Sequence, residues 1–320
     1  MATVAQKQST VASLIDDIAN TLSGLSAWSD ADTTIVNDGA SDSWDKNGRV
    51  FENTNMGVYL LMFVGDGNQH AADSDYDDVH GVRFILSNDW NSTDHHPAGK
   101  TTVTGNDPMS ADIGNHRSDS FNNHRVSWST SETGAWLFAT DMGTAIDARS
   151  LSATYFISAG NDYLNVSAWN TSDGNNGMAS AYGLEYVDSK FWNDGQDPWA
   201  FWQGDSYHDR MQTGYGWNSY ISDSPSIEYL GTSIGNIESG DWGIINPDST
   251  DDTFFFRRPT IYQTNSQTVP VAFLEDAIPN DKQEGAAHGD IVTYDATDYR
   301  IMQQSGAGKS NTISVGLRYE

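Results

Sequence analysis

The sequence predicts a mainly β protein: an antiparallel β-sandwich-type body with long loops and one short N-terminal helix. Three observations predict it. Apolar residues come in short runs separated by clusters of Gly, Asn, Asp and Ser, the texture of sandwiches and barrels. Turn chemistry recurs between those runs, as in Gly65-Asp66-Gly67, Asp173-Gly174-Asn175 and Asn37-Asp38-Gly39. Helical periodicity is convincing in a single segment near the N terminus.

That segment is 10–23. Val11, Leu14, Ile15, Ile18 and Leu22 recur at the spacing of one helical face, with Asp16 and Asp17 opposite. Ser9 or Thr10 can cap its start and Gly24 can end it. So short a helix is not stable alone and must pack on something. Two partners are open: its own domain, or a neighbouring subunit. In the second case residues 1–27 form an arm and those five apolar side chains are an oligomer interface. The rest, 28–320, is read as the sandwich body, taken whole or as two sub-domains dividing near residue 190.

Strands are expected at 57–64, 79–87, 125–129, 135–140, 153–158, 164–169, 181–187, 227–230, 242–245, 253–256, 260–263, 269–273, 291–294, 299–303 and 314–319. Two stretches read as long loops. The first, 88–121, is polar. The second, 191–220, sets Trp192, Trp199, Phe201, Trp202, Tyr207, Tyr215, Trp217 and Tyr220 among glycines. Loops of that length are uncommon unless they are used. The aromatic one is either a satellite core or a contact surface for partners or glycans, carried by Trp192, Trp199, Trp202, Tyr207, Tyr215 and Trp217. No period of about 20 to 50 residues repeats, which excludes solenoids and propellers.

Charge constrains the solvent. The chain carries 44 acidic against 16 basic side chains, a net of −28. Such self-repulsion opposes compaction at a Debye length of about 8 Å and nearly vanishes below about 3 Å, in multimolar salt. Eight of the acids are Glu and the rest the shorter Asp, while lysine is confined to six positions. Short carboxylates hold tight hydration shells, and few lysine stems means little exposed hydrocarbon, so the composition predicts a very salty solvent. Aromatics at 12% exclude an acidic disordered chain. With only Arg257 and Arg258 adjacent, no basic face exists for nucleic acid. The absence of cysteine excludes disulfides and thiolate metal sites. Residues 1–10 lack an apolar signal-peptide core and no apolar run approaches about 18 residues, so neither a signal peptide nor a membrane span is expected.

Chemical motifs are weak. Gly231-Thr232-Ser233-Ile234-Gly235 matches the hydrolase nucleophile elbow, but the residues that follow make a poor helix. Gly306-Ala307-Gly308-Lys309-Ser310 mimics the end of a phosphate-binding loop whose first glycine would have to stand at Gln303. Asp73, Asp75, Asp77 and Asp78, flanked by His70 and His80, cluster carboxylates as hard cations like. They fail as an EF-hand, which needs Gly where Asp78 stands and Glu where Phe84 stands, and leave a looser Ca, Mg or Na site beside the reading of a solvated acidic loop. His95, His96, His116 and His124 lack the spacing of a zinc protease. Among so many acids no carboxylate pair stands out for glycoside hydrolysis. Glycosylation patterns at Asn91, Asn165 and Asn170 are weak in an Asn-rich chain. No catalytic residue and no organic cofactor is assigned.

The order of blocks nevertheless resembles the β-rich tail and baseplate structural proteins of tailed viruses. It is carried by Leu22-Ser23-Gly24-Leu25-Ser26-Ala27-Trp28 closing the helix, Gly57-Val58-Tyr59-Leu60, Gly81-Val82-Arg83-Phe84, Ala135-Trp136-Leu137-Phe138-Ala139-Thr140 and Ala153-Thr154-Tyr155-Phe156-Ile157-Ser158-Ala159-Gly160. Val269-Pro270-Val271, Gly289-Asp290 ahead of Tyr299-Arg300-Ile301-Met302, and the closing Arg318-Tyr319-Glu320 continue it. The likeness is one of texture and block order. It implies an oligomeric, β-rich virion component with no catalytic residues, in contact with other virion proteins; the aromatic loop, where it is a contact surface, would face neighbouring subunits or the host surface and its glycans. The acidity departs from bacterial-virus versions and implies a haloarchaeal host. Two other expectations stand beside it: a capsid turret or decoration protein, and an extracellular glycan-binding or polysaccharide-degrading protein.

Overall fold

The computed structural model describes residues 1–33, 49–65, 79–87, 90–93, 110–112, 140–141, 152–169, 179–187, 199–205, 210–215, 226–229, 260–265, 267–279, 286–305 and 312–319. Over these residues the protein is mainly β, with antiparallel sheets and one helix. In chain order the elements are β1 (Ala2–Thr10), α1 (Val11–Ser23), β2 (Trp28–Asp32), β3 (Arg49–Asn53), β4 (Val58–Gly65), β5 (Val79–Ser87), β6 (Ser110–Asp112), β7 (Thr140–Asp141), β8 (Ser152–Gly160), β9 (Tyr163–Trp169) and β10 (Ala179–Tyr186). There follow β11 (Trp199–Asp205), β12 (Arg210–Tyr215), β13 (Ser226–Tyr229), β14 (Thr260–Asn265), β15 (Gln267–Phe273), β16 (Ala277–Pro279), β17 (Ile291–Tyr294), β18 (Thr297–Ser305) and β19 (Thr312–Arg318).

A central sheet runs β1-β8-β9-β10-β11-β12, and a second runs β2-β3-β4-β5-β6 with β7 also paired to β5. A C-terminal sheet has the order β16-β19-β18-β17, and β13-β14-β15 form a small one. The main core lies between the first two sheets and takes in the helix. Tyr155, Ile157, Leu164, Val166, Tyr182 and Leu184 of the central sheet meet Phe51, Leu60, Met62 and Phe84 of the second, with Leu14, Ile18 and Leu22 of α1 among them. The Phe84 and Tyr182 rings stack at 4.6 Å. Each such side chain fully buried contributes about 1.5–3 kcal/mol.

The opposite face of the central sheet is buried too. Phe156, Ser158, Tyr163, Asn165, Ser167 and Glu185 alternate with the core residues and are equally removed from solvent. The C-terminal sheet covers them: Tyr319 stacks on Phe156 at 6.3 Å, Arg300 lies 5.7 Å over the same ring, and His288 meets Trp169 edge-on at 5.5 Å. The body is thus a sandwich with a further sheet laid on its central layer.

Local rules explain the helix. Thr10 is extended and its Oγ1 accepts from the Ser13 amide at 3.3 Å, while the Gly24 amide closes the far end on the Leu22 carbonyl. Its apolar face buries Leu14, Ile15, Ile18 and Leu22 in the chain's own core. These four are therefore core residues and not an oligomer interface, because a side chain buried inside one subunit has little left to offer another. Val11 belongs to the helix, but its side chain lies outside the described residues. Nor do residues 1–27 form a separate arm, since β1 pairs antiparallel with β8 along its length and runs directly into α1.

Other expectations change as well. The stretch 191–220 contains β11 and β12, which extend the central sheet beyond β10. The β10–β11 pairing also carries that sheet across residue 190, where a sub-domain division was expected. In the other expected loop, β6 pairs with β5 and Asn91 Oδ1 accepts from the Thr93 amide at 2.9 Å.

Candidate functional site

The polar chemistry of the described body concentrates where the C-terminal sheet lies on the central sheet. Strand alternation points Glu185 of β10 at that interface, beside Tyr163 and Asn165 of β9. The segment between β15 and β16 descends on it. The Glu185 carboxyl accepts from the Glu275 amide at 2.6 Å and the Asp276 amide at 3.2 Å. Asp276 Oδ1 in turn accepts from Arg318 Nη1 at 2.6 Å, at the end of β19. Asn165 Nδ2 donates to the Asp276 carbonyl at 2.8 Å and Tyr299 Oη to the Glu275 carbonyl at 2.6 Å. The Arg318 guanidinium sits 5.1 Å over the Tyr163 ring.

Glu185 is 1% exposed and Asp276 4%. Burial, and then the neighbouring Asp276 charge, pushes Glu185 well above the usual carboxyl range. Burial likewise raises Asp276, to about 6, against the pull of Arg318. Tyr163 is pushed up to about 12, again mainly by burial. Asp276 thus holds the guanidinium and Glu185 holds two backbone amides, in a medium that penalises unpaired charge. Glycoside hydrolysis also uses two carboxyls, but across a cleft; this pair lies under a sheet, and its partners are backbone amides and an arginine of the same chain.

Two further polar nodes tie the layers. Asp17 Oδ2 of α1 accepts from Lys7 Nζ of β1 at 2.7 Å and from Tyr155 Oη of β8 at 2.6 Å. Burial, then the bond to Asp17, raises the Tyr155 hydroxyl and keeps it protonated. At the other end of the core, the β8–β9 turn docks on the second sheet. Asn53 Nδ2 donates to the Asn161 carbonyl at 2.9 Å, Asn161 Oδ1 accepts from the Ala27 amide at 3.3 Å, and Trp28 Nε1 donates to the Gly160 carbonyl at 2.9 Å.

The residues singled out in the sequence fare differently. Trp199 is fully buried and belongs to the main core, so it is not a glycan contact. Trp202 and Tyr215 stand in β11 and β12, paired in register with Gly183 and Ala200; their side chains lie outside the described residues. So do Trp192, Tyr207 and Trp217, the acid cluster Asp73, Asp75, Asp77 and Asp78, the histidines 95, 96, 116 and 124, and both glycine-rich motifs including Ser233 and Lys309. Asn165 is buried within the central sheet, which removes it as a glycosylation acceptor. Among the described residues no group of three or more His, Asp or Glu could hold a metal ion, and no helix is long and apolar enough to cross a membrane.

Sequence reasoning missed Glu185, Asp276 and Arg318. A signal existed: Glu185 interrupts the apolar run Ala181-Tyr182-Gly183-Leu184 before Tyr186-Val187, a charge in a strand otherwise fit for burial. No protein-family model matches this chain, and no curated protein matches its sequence.

Proposed function

We propose that this chain is a non-enzymatic structural subunit of a virion, a tail or baseplate component of a tailed virus whose host is a salt-loving archaeon. It works as a homo-oligomer in contact with other virion proteins and with the host surface. The observation that carries this reading is a stacked antiparallel body joined to a net charge of −28. The polar groups brought together in that body tie strands, helix and sheets to one another, which is the chemistry of a scaffold. The acid excess fits a particle that is exposed to concentrated salt.

The test is location and assembly. Mass spectrometry of purified particles, separated into heads and tails, places the chain with tails; a head-only signal identifies a capsid turret or decoration protein instead. Sedimentation in multimolar salt gives a defined oligomer, whose interface buries more than about 1,000 Å². A monomer absent from particles, or hydrolysis of host-surface polysaccharide by the purified chain, overturns the reading.

A further inference from the structure

The carboxyl cluster under the C-terminal sheet has a property that a simple inter-sheet tie would lack: its charges do not balance. Glu185 and Asp276 are both buried, they are linked through the Asp276 amide that Glu185 accepts, and the one cation bonded in the cluster among the described residues, Arg318, is bonded to Asp276. Among the described residues the other groups facing the cluster add no positive charge. From β9 comes the Tyr163 hydroxyl, from the β8–β9 turn Asp162, from the segment before β16 Glu275, and from β18 Tyr299. Arg300, also of β18, lies over the Phe156 and Tyr319 rings. With both carboxyls ionised, a net negative charge would be buried between two sheets, and one proton removes it.

We propose that Glu185, Asp276 and Arg318 form a one-proton latch: a proton held by the carboxyl pair keeps the C-terminal sheet docked on the central sheet, and losing it loosens that sheet while the main core stays closed. Asp276 is the partner bonded to the guanidinium at 2.6 Å, so the proton resides on Glu185. Burial and the Asp276 charge raise the folded value of Glu185 above its ordinary 4.5. A raised acid contributes stability that is fully present below the unfolded value and is lost as pH rises through the folded one. Docking therefore weakens on the alkaline side. One proton lost on opening changes the opening constant by up to about tenfold per pH unit.

Amide hydrogen exchange of the full chain in multimolar salt, corrected for the intrinsic pH dependence of exchange, tests this. Between pH 5 and pH 9 the opening constant of strands β18 and β19 is expected to rise at least tenfold, while that of β3 and β4 changes less than twofold. Glu185→Gln, which keeps the shape and removes the proton, flattens the profile and holds β18 and β19 at their acid-side protection throughout. A flat wild-type profile, or an unchanged slope in Glu185→Gln, overturns the latch. Should that variant fail to fold, infrared spectroscopy of the wild type decides. A neutral buried carboxylic acid must show its carbonyl stretch near neutral pH and lose it on alkaline titration; absence of that band overturns the proposal.

Discussion

Single residues in this protein reveal where backbone geometry, and not side-chain packing, sets the cost. The β17–β18 hairpin turns on Asp295 and Ala296, with φ of 50° and 63°, both left-handed. That is the two-residue turn whose twist suits a hairpin, and its preferred sequence places glycine second. Ala296 adopts the conformation against the clash of its Cβ with the following carbonyl, which costs about 1–2 kcal/mol. Ala296→Gly is therefore expected to stabilise the protein by about 1 kcal/mol, less the entropy that glycine adds to the unfolded chain. Chemical denaturation at fixed salt checks it, and a loss of stability would show that the turn is not strained. Gly316 is the reverse case. A Cβ there would lie 2.5 Å from Ile278 Cγ1, so glycine is required by close approach between β16, β18 and β19.

At the scale of elements, helix α1 argues how an interface reading and a core reading separate by experiment. Ile18 is fully buried among both main sheets, and Asp16 faces solvent on the same helix. Ile18→Ala should cost about 2–5 kcal/mol, through lost transfer energy and the cavity left behind. Asp16→Ala should stay within about 0.5 kcal/mol. Unfolding measured at several protein concentrations is the check: a loss independent of concentration marks a core residue, and one that appears only on dissociation would restore the subunit-docking role. The helix was legible in the sequence because its apolar face is regular, and β5 and β17 were legible over their full spans because apolar runs are flanked by turn residues. β1 was not. Its Ala2–Thr10 segment is an edge strand with much of its length exposed, so it lacks apolar alternation, and its pairing comes from β8. β11 and β12 were masked by Gly204, Asp205 and Gly214, which read locally as loop, although partners across the sheet hold them extended. The carboxyl cluster stayed hidden for a related reason. Ser158, Asn165, Ser167 and Glu185 alternate with apolar residues as a solvent-facing side would, and only the sheet laid over them makes that face an interior.

For the whole molecule, the governing quantity is the imbalance of charge, and its internal distribution sharpens what salt should do. The four Lys and Arg side chains described are all engaged within the chain: Lys7 on Asp17, Arg49 on Asp30, Arg318 on Asp276 and Arg300 over aromatic rings. Among the described residues Asp16, Asp162, Asp290 and Asp295 face solvent with their charges open to the salt. At about 0.01 M salt the Debye length of about 30 Å lets those carboxylates repel one another across the molecule. Adding salt shortens it to about 3 Å by 1 M, where Coulomb repulsion between separated groups is spent. Further stabilisation beyond that point must come from stronger apolar burial, which depends on the kind of salt. The expected melting curve therefore has two regimes. The melting temperature rises steeply up to about 1 M and equally for chloride and sulfate compared at the same ionic strength; above that it rises more slowly, with sulfate ahead of chloride. Calorimetry in both salts is the measurement. A chain fully stable at low ionic strength without divalent ions would mean that the carboxylates do not oppose folding, and the link between this composition and a salt-saturated environment would fall with it.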